Sequence, residues 1–318
     1  MKKAVIVNDT SFEAHHGCEL VVNNIRNLLL KNDIEVINTN PVWKNWEENN
    51  KFLKDLKNSD LVLVNGEGTI HHSQIRAKQL VKIAKYSKQL NKKVVLINST
   101  IQDNDNDIIE NLKYFDLIFV RESLSKKELE KYGIKSEVVA DMTFYNQFNK
   151  SFKRDKIGVT DSVFVDVTQK LFNLYLSDIE KYEYLPILTY PKFDNSFKDF
   201  LRKIKFYYFN QNKRFFKFYT NNYDEYITKI AQKEFLITAR YHSLCFAIKT
   251  KTPFVAIKSN SFKIEGLLQD LELNDKITDI ENINIIRFSK EEIKKMDNYI
   301  KNAKIKIENM FKQIKGLL

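Results

Sequence analysis

Glycine and proline are scarce in this 318-residue chain, with seven and four residues, and cysteine occurs only twice, at Cys18 and Cys245. Two cysteines exclude a disulfide framework, and no CxxC pair offers a metal site. No apolar run approaches the roughly 18 residues that a membrane span needs, and the mean hydropathy is −0.42. The opening Met1-Lys2-Lys3-Ala4-Val5-Ile6-Val7-Asn8-Asp9 has a basic tip but a short apolar stretch. It is too brief for a signal peptide and reads as a first β-strand. HExxH and GxSxG are absent, as is any paired Cys/His ligand spacing, so neither a metal nor another cofactor is expected. What remains is the expectation of a soluble, cytoplasmic protein.

The chain is 43% hydrophobic and 13% aromatic, too apolar to be disordered along its length. Its size suits two domains of about 150 residues each. Lysine and arginine outnumber aspartate and glutamate by 52 to 41, a net charge of +11. Such a surface attracts polyanions, anionic substrates or an anionic membrane face. The lysines are spread along the chain and few arginines are present to read base edges, so nucleic acid is not an expected partner. The abundance of Lys, Asn and Ile is also the bias that AT-rich coding sequence produces.

Strand and helix signals alternate regularly through the first half. Strands are expected at Ala4–Asn8, Ile34–Ile37, Leu61–Asn65, Val94–Asn98, Leu117–Val120 and Glu137–Val139. Helices are expected at Glu19–Lys31, Phe52–Lys57, Gln74–Leu90, Asp107–Lys113 and Ser123–Tyr132. Continuous apolar strands separated by amphipathic helices predict a parallel sheet covered on both faces. Around Asn146–Lys156 the periodicity fails, which suggests a linker. A second alternating set follows, with strands at Val163–Val167, Leu185–Thr189, Phe235–Thr238 and Phe254–Ile257. Its helices start at Gln169 and span Ser196–Lys205, Tyr223–Lys233, Ser243–Thr250 and Phe262–Leu271. The aromatic and basic stretch Lys205–Tyr219 has no clear assignment. Lys290–Leu318 reads as a long Lys-rich amphipathic helix with Ile293, Met296, Ile300, Ile305 and Ile314 on one side; it either lies on a membrane or packs back across the domains. The predicted class is α/β: two doubly wound Rossmann-like domains, 1–150 and 151–318, facing a cleft at the carboxyl ends of their strands.

The five histidines fall in three places, each after a predicted strand: His15-His16, His71-His72 and His242. That position makes them candidates for acid–base work, although a lone histidine is more often structural. Gly66-Glu67-Gly68 reads as a glycine turn that brings backbone close to a ligand or merely turns the chain; its spacing fits neither a Walker loop nor a dinucleotide fingerprint. At Arg240-Tyr241-His242-Ser243 a strand ends and a helix begins, so Arg240 offers a fork for carboxylate or phosphate and His242 is placed to pass a proton. Lys258-Ser259-Asn260-Ser261-Phe262-Lys263 adds two cations on the next loop. Arg121, Asp141 and Asp161 sit where they either face the cleft or serve as caps and ion pairs.

Arg240-Tyr-His-Ser-Leu-Cys-Phe-Ala-Ile, Thr252-Pro-Phe-Val-Ala-Ile, Lys263 and Leu267-Leu-Gln-Asp-Leu-Glu-Leu resemble the polysaccharide pyruvyl transferase family. Val120-Arg-Glu-Ser-Leu-Ser, Tyr132-Gly133 and Ala140-Asp141 match its middle section. The resemblance implies a GT-B-like fold and transfer of a group onto a sugar of a bacterial capsular or other surface polysaccharide. For pyruvyl transfer from phosphoenolpyruvate it implies His242, His15, His71 and Glu67 as catalytic groups. Arg240, Ser243, Lys258, Ser259, Asn260 and Lys263 would hold the anionic donor. His16, Gly66, Gly68, Arg121 and Asp161 would face a glycan or activated-sugar acceptor, with the first domain as the acceptor side and the second as the donor side. The family commonly carries a GNxGD-like segment and a GGG turn where this chain has Asn8-Asp9-Thr10 and Gly66-Glu67-Gly68. That departure keeps open a nucleotide-linked donor (CDP-, CMP- or UDP-linked) delivering a phosphoryl, phosphoramidate or glycosyl group. A non-catalytic glycan- or polyanion-binding protein is the third reading, and peripheral association with the inner membrane fits the basic charge.

Overall fold

The computed structural model describes residues 1–191 and 213–318. Six parallel strands build the first sheet: β1 (Lys2–Asp9), β2 (Ile34–Pro41), β3 (Leu61–His71), β4 (Lys93–Gln102), β5 (Leu117–Val120) and β6 (Glu137–Val138), in the order β2-β1-β3-β4-β5-β6. Between them run α1 (His16–Lys31), α2 (Asn50–Lys57), α3 (Ile75–Gln89), α4 (Asn106–Leu112) and α5 (Ser123–Glu130). The second sheet holds β7 (Asp155–Ser162), β8 (Tyr182–Tyr184), β9 (Lys233–Ala239), β10 (Phe254–Ile257) and β11 (Ile277–Thr278), also parallel, in the order β11-β10-β9-β7-β8. Its helices are α6 (Val165–Ser177), α7 (Tyr223–Ala231), α8 (Tyr241–Thr250) and α9 (Lys263–Asp270), followed by the long α10 (Lys290–Gly316). Among the described residues no helix is long and apolar enough to cross a membrane.

Read from its first strand, each sheet has the same order, second-first-third-fourth, so each reverses direction between its first and third strands. That reversal opens a crevice at the strand ends, β1/β3 in one sheet and β7/β9 in the other. Alternating side chains of the first sheet serve two cores. Ala4, Ile6, Leu61, Leu63, Val95 and Ile97 face α1 and a core that continues into the second half through Tyr226, Leu244 and Phe311. Val5, Val7, Val62, Val64, Val94 and Leu96 face α2, α3 and α4. The period of two on strands buried from both sides produces this division. Because one apolar core spans both halves, the cleft walls are set by packing and not only by the connecting chain.

Several expectations are corrected. Gly66-Glu67-Gly68 is not a turn: β3 runs through it to His71, with its register against β4 shifting between Glu67 and Ile70. The strand expected at Val163–Val167 begins α6 instead, and β7 lies earlier, over Asp155–Ser162. The apolar Val163, Phe164 and Val165 are exposed, Val163 at the cleft, whereas the strand is the less hydrophobic Lys-Ile-Gly-Val-Thr segment. Leu185–Thr189 follows the short β8 and is not a strand; within it Leu188 forms one bridge to His15. Ile305 is exposed, and α10 turns Met296, Ile300, Ala303, Ile307, Met310 and Phe311 to the core. The helix expected at Ser196–Lys205 lies outside the described residues, as does most of Lys205–Tyr219.

Candidate functional site

A cleft of about 400 Å³ opens where the carboxyl ends of the two sheets meet. The loop after β1 crosses to the second half, where His16 N–H donates to the Ile187 carbonyl at 3.3 Å and Thr189 N–H donates to that of Ala14 at 3.0 Å. This fixes the start of α1 against α8. Gly17 makes the approach feasible: a Cβ at that position would stand 2.2 Å from Cγ of His242.

His242 is buried at the head of α8, with its ring 5.3 Å from that of His15. Its Nε2 lies 3.6 Å from Asp141, whose same carboxylate oxygen accepts from Arg121 at 3.1 Å. Burial alone would raise the Asp141 carboxyl, but His242, Arg121 and the Thr143 N–H outweigh it and hold it below the usual carboxylate range. Burial, with His242 and Arg240 nearby, pushes His15 well below the ordinary histidine value, so it is neutral, and its Nδ1 accepts the Cys18 N–H at 3.3 Å as the cap of α1. On the opposite wall Glu67 is held by the Asn65 amide at 3.1 Å and by the Thr10 hydroxyl.

Beside this acid–base group lies a cluster of cations. Arg121, at the end of β5, stacks 4.3 Å from the Tyr241 ring and donates to Thr100 at 2.8 Å, while its buried Nε has no partner. Arg240 forks onto Asp161, donating through Nε at 2.8 Å and also through Nη2. That pair spans the β7/β9 crevice. Lys263 donates to Asn260 at 2.7 Å, and burial together with Arg121 and Arg240 depresses it to about 7. A Cβ on Gly68 would stand 3.5 Å from the Lys263 ammonium and 3.7 Å from Arg121 Nη2, so both cations face this glycine across the cleft. A lysine depressed by burial and by neighbouring cations, and a buried guanidinium donor without a partner, are chemically suited to an anion.

Of the residues singled out from sequence, His15, His242, Glu67, Gly68, Arg121, Arg240, Ser259, Asn260 and Lys263 line the cleft. The others stand elsewhere. Ser243 is buried and shares a hydrogen bond with the Tyr226 hydroxyl at 2.9 Å. Lys258 is exposed outside the cleft, because the chain turns away after β10. His16 is fully buried, stacked on Tyr226 and bonded to Thr220 at 2.6 Å; burial lowers it to about 4. His71 bonds His72 at 2.8 Å behind the cleft wall, and burial, Lys263 and His72 lower it to about 4. Gly66 packs on Ser99 between β3 and β4. Asp161 positions Arg240 from behind. Sequence reading passed over Cys18, Glu13, Thr10 and Arg76, which also line the cleft. Cys18 stood in view as the fourth residue of His15-x-x-Cys18, two side chains on one helical turn.

The sequence matches the polysaccharide pyruvyl transferase family over residues 15–261. No curated protein matches it. Among solved structures, the UDP-GlcNAc 2-epimerase of Methanocaldococcus jannaschii in complex with UDP-GlcNAc and UDP is similar, with a TM-score of 0.57 at 15% identity over 99% of both chains. Staphylococcus aureus MnaA, in a co-structure with UDP, gives 0.54 at 12% identity over 98% of this chain and 91% of that one. A putative UDP-N-acetylglucosamine 2-epimerase from Listeria monocytogenes gives 0.50 at 11% identity, covering 96% and 90%. At such identities the likeness is one of fold, the two-domain GT-B arrangement.

Proposed function

Since the chain belongs to the polysaccharide pyruvyl transferase family, an enzyme family, we propose that it transfers the pyruvyl group of phosphoenolpyruvate to two hydroxyls of a surface-polysaccharide sugar, in the cytoplasm or at the inner membrane face. The observation that carries this reading is that Arg121 and Lys263 face Gly68 while Arg240 and His242 line the same cleft. Phosphoenolpyruvate carries a carboxylate and a phosphate, and three cations at the edge of a buried cleft suit both groups.

The roles follow from position. Arg240 and Lys263, on the second half, hold the donor, joined by Arg121 from the first. His242, oriented by Asp141, gives a proton to the methylene carbon of the enol as a sugar oxygen bonds to C2. Neutral His15 takes the proton of that hydroxyl, with Glu67 on the facing wall to bind the sugar. The second hydroxyl then bonds to the same carbon as the C2–O bond to phosphate breaks. Its proton leaves on the departing phosphate, and a cyclic ketal remains. The first half is thus the acceptor side and 151–318 mainly the donor side.

The test is phosphate release from phosphoenolpyruvate on addition of hexose acceptors, with the ketal identified by NMR. His242→Ala should keep the fold and lose about 10²–10⁴ in rate; activity within tenfold of the parent protein overturns the assignment. A second reading, a CDP-, CMP- or UDP-linked donor, draws on Gly66-Glu67-Gly68 standing where the family carries a GGG turn. A thermal-shift panel separates the two: stabilisation by a nucleotide and none by phosphoenolpyruvate favours the second. Salt-sensitive binding of polyanions without either response favours a glycan- or polyanion-binding protein.

A further inference from the structure

His15, Cys18 and His242 each bring one ligand atom within 4.8 Å of the others. The first two share the opening turn of α1, and the third comes from α8 of the other half. Cys18 Sγ lies 3.4 Å from Oε2 of Glu67 and 3.6 Å from Oε2 of Glu13. Neither glutamate takes part in an ion pair among the described residues. The Nε2 of His242 is buried with no partner at hydrogen-bond distance, the Asp141 carboxylate standing 3.6 Å away. Two imidazoles and a thiol thus converge, with two carboxylates beside the thiol, an arrangement of electron-pair donors suited to a cation.

We propose that this cluster binds a thiophilic divalent cation of the zinc class, with His15, Cys18 and His242 as ligands and Glu67 as the fourth. In a tetrahedral zinc site with metal–sulfur and metal–nitrogen bonds of about 2.3 and 2.0–2.1 Å, neighbouring ligand atoms stand about 3.3–3.6 Å apart. The Cys18–Glu67 edge already has that length, the edges among His15, Cys18 and His242 reach it by closing at most about 1.3 Å from their limit of 4.8 Å, and the Glu67 carboxylate must swing further to meet both histidines. The nitrogen and sulfur donors select zinc over magnesium or calcium, which take oxygen ligands. Binding expels the Cys18 thiol proton to solvent. Since the ligands come from both walls, the ion ties the halves together across the cleft. It also takes the imidazole lone pairs of His15 and His242, so the loaded protein is the inactive form. That last consequence rests on the transfer reading above; the site itself does not.

Tag-free, metal-free protein is titrated with Co²⁺, without substrates, and followed by absorption. The expected result is the intense visible spectrum of tetrahedral cobalt with a thiolate charge-transfer band, saturating at one equivalent and bleached by Zn²⁺. Cys18→Ser should lose the charge-transfer band, and Cys245→Ser should keep it. The weak spectrum of octahedral cobalt, or a band that survives Cys18→Ser, overturns the proposal. His15→Asn, checked for folding by circular dichroism, provides a second variant that should lose the tetrahedral spectrum. In the activity arm, one equivalent of Zn²⁺ should lower phosphoenolpyruvate-dependent turnover at least about tenfold, reversed by a chelator. Full turnover with the site loaded overturns the competition for His242. Absent turnover in the metal-free protein counts against the transfer reading and leaves the cobalt result standing.

Discussion

Gly17→Ala is the sharpest test of how the site is built. The added methyl would stand 2.2 Å from Cγ of His242 and 2.4 Å from its Nδ1. Carbon atoms in contact sit about 3.5 Å apart, so the imidazole must withdraw by about 1.3 Å or rotate. A misplacement of about 1 Å costs on the order of 100-fold in rate. The effect on folding is smaller. Overpacking costs about 1–3 kcal/mol, and replacing glycine by alanine inside a helix returns about 1 kcal/mol. Gly17 has an ordinary φ, so no backbone strain is added. The expected variant melts within about 5 °C of the parent protein yet turns over roughly 100-fold more slowly, with little change in affinity for the anionic donor. Phosphate release and a melting curve on the same preparation measure both. Activity within threefold of the parent would refute the claim that His242 works from this position. A collapse in stability that accounts for the whole loss would refute the claim that Gly17 serves catalysis.

Lys263 predicts a pH dependence. Its pKa of about 7 in the folded protein lies below the ordinary lysine value of 10.5, so donor affinity should fall as pH rises through 7 and the ammonium discharges. Lys263→Arg should flatten that dependence. For stability the sign is opposite: between 7 and 10.5 the unfolded chain binds more protons, so the Lys263 contribution favours folding increasingly as pH rises through that window. Asp141→Asn should cost about 3–5 kcal/mol in urea unfolding, because it strips the charge from a buried partner of Arg121. In the parent protein this pair stabilises at neutral pH and fails only below the usual carboxylate range, so the variant should show a flatter acid limb. Phe311→Ala should lower stability by about 3–5 kcal/mol if α10 packs as described; a change below 1 kcal/mol would contradict that packing.

The first sheet was legible because β1, β3, β4 and β5 carry apolar runs flanked by amphipathic helices, and all six strands fall on the expected stretches. The second was harder to read. In Lys156–Ser162 only two aliphatic side chains mark a strand, whereas the apolar residues of Val163–Val167 have other roles: Val163 lines the cleft and Val167, on α6, packs on the core of the second sheet. Arg240, His242 and Lys263 were visible because each sits at a strand end or helix start. Arg121 stood at such a corner too, but nothing in its neighbours says that its guanidinium lies beside Lys263. Ser243 and His16 shared those local signals yet point into the packed interior, because helix phase decides which of two adjacent residues faces the ligand. Cys18 went unnoticed since its partners are an imidazole from the other half and a carboxylate from β3. Only the folded topology brings these together.

The helix α10 lies across both halves. Tyr299 meets Phe144 edge-on at 5.3 Å, Gln313 reaches Glu137, and Lys315 pairs with Asp33 at 2.6 Å. A ribosome makes that helix after both sheets. Some 150 residues separate β6 from α10, about 8–30 s of synthesis at 5–20 residues per second. Throughout that interval the face of the first half that receives Met310 and Phe311 is finished but uncovered. The nascent chain therefore carries an apolar surface that its own last helix must reach before another molecule does.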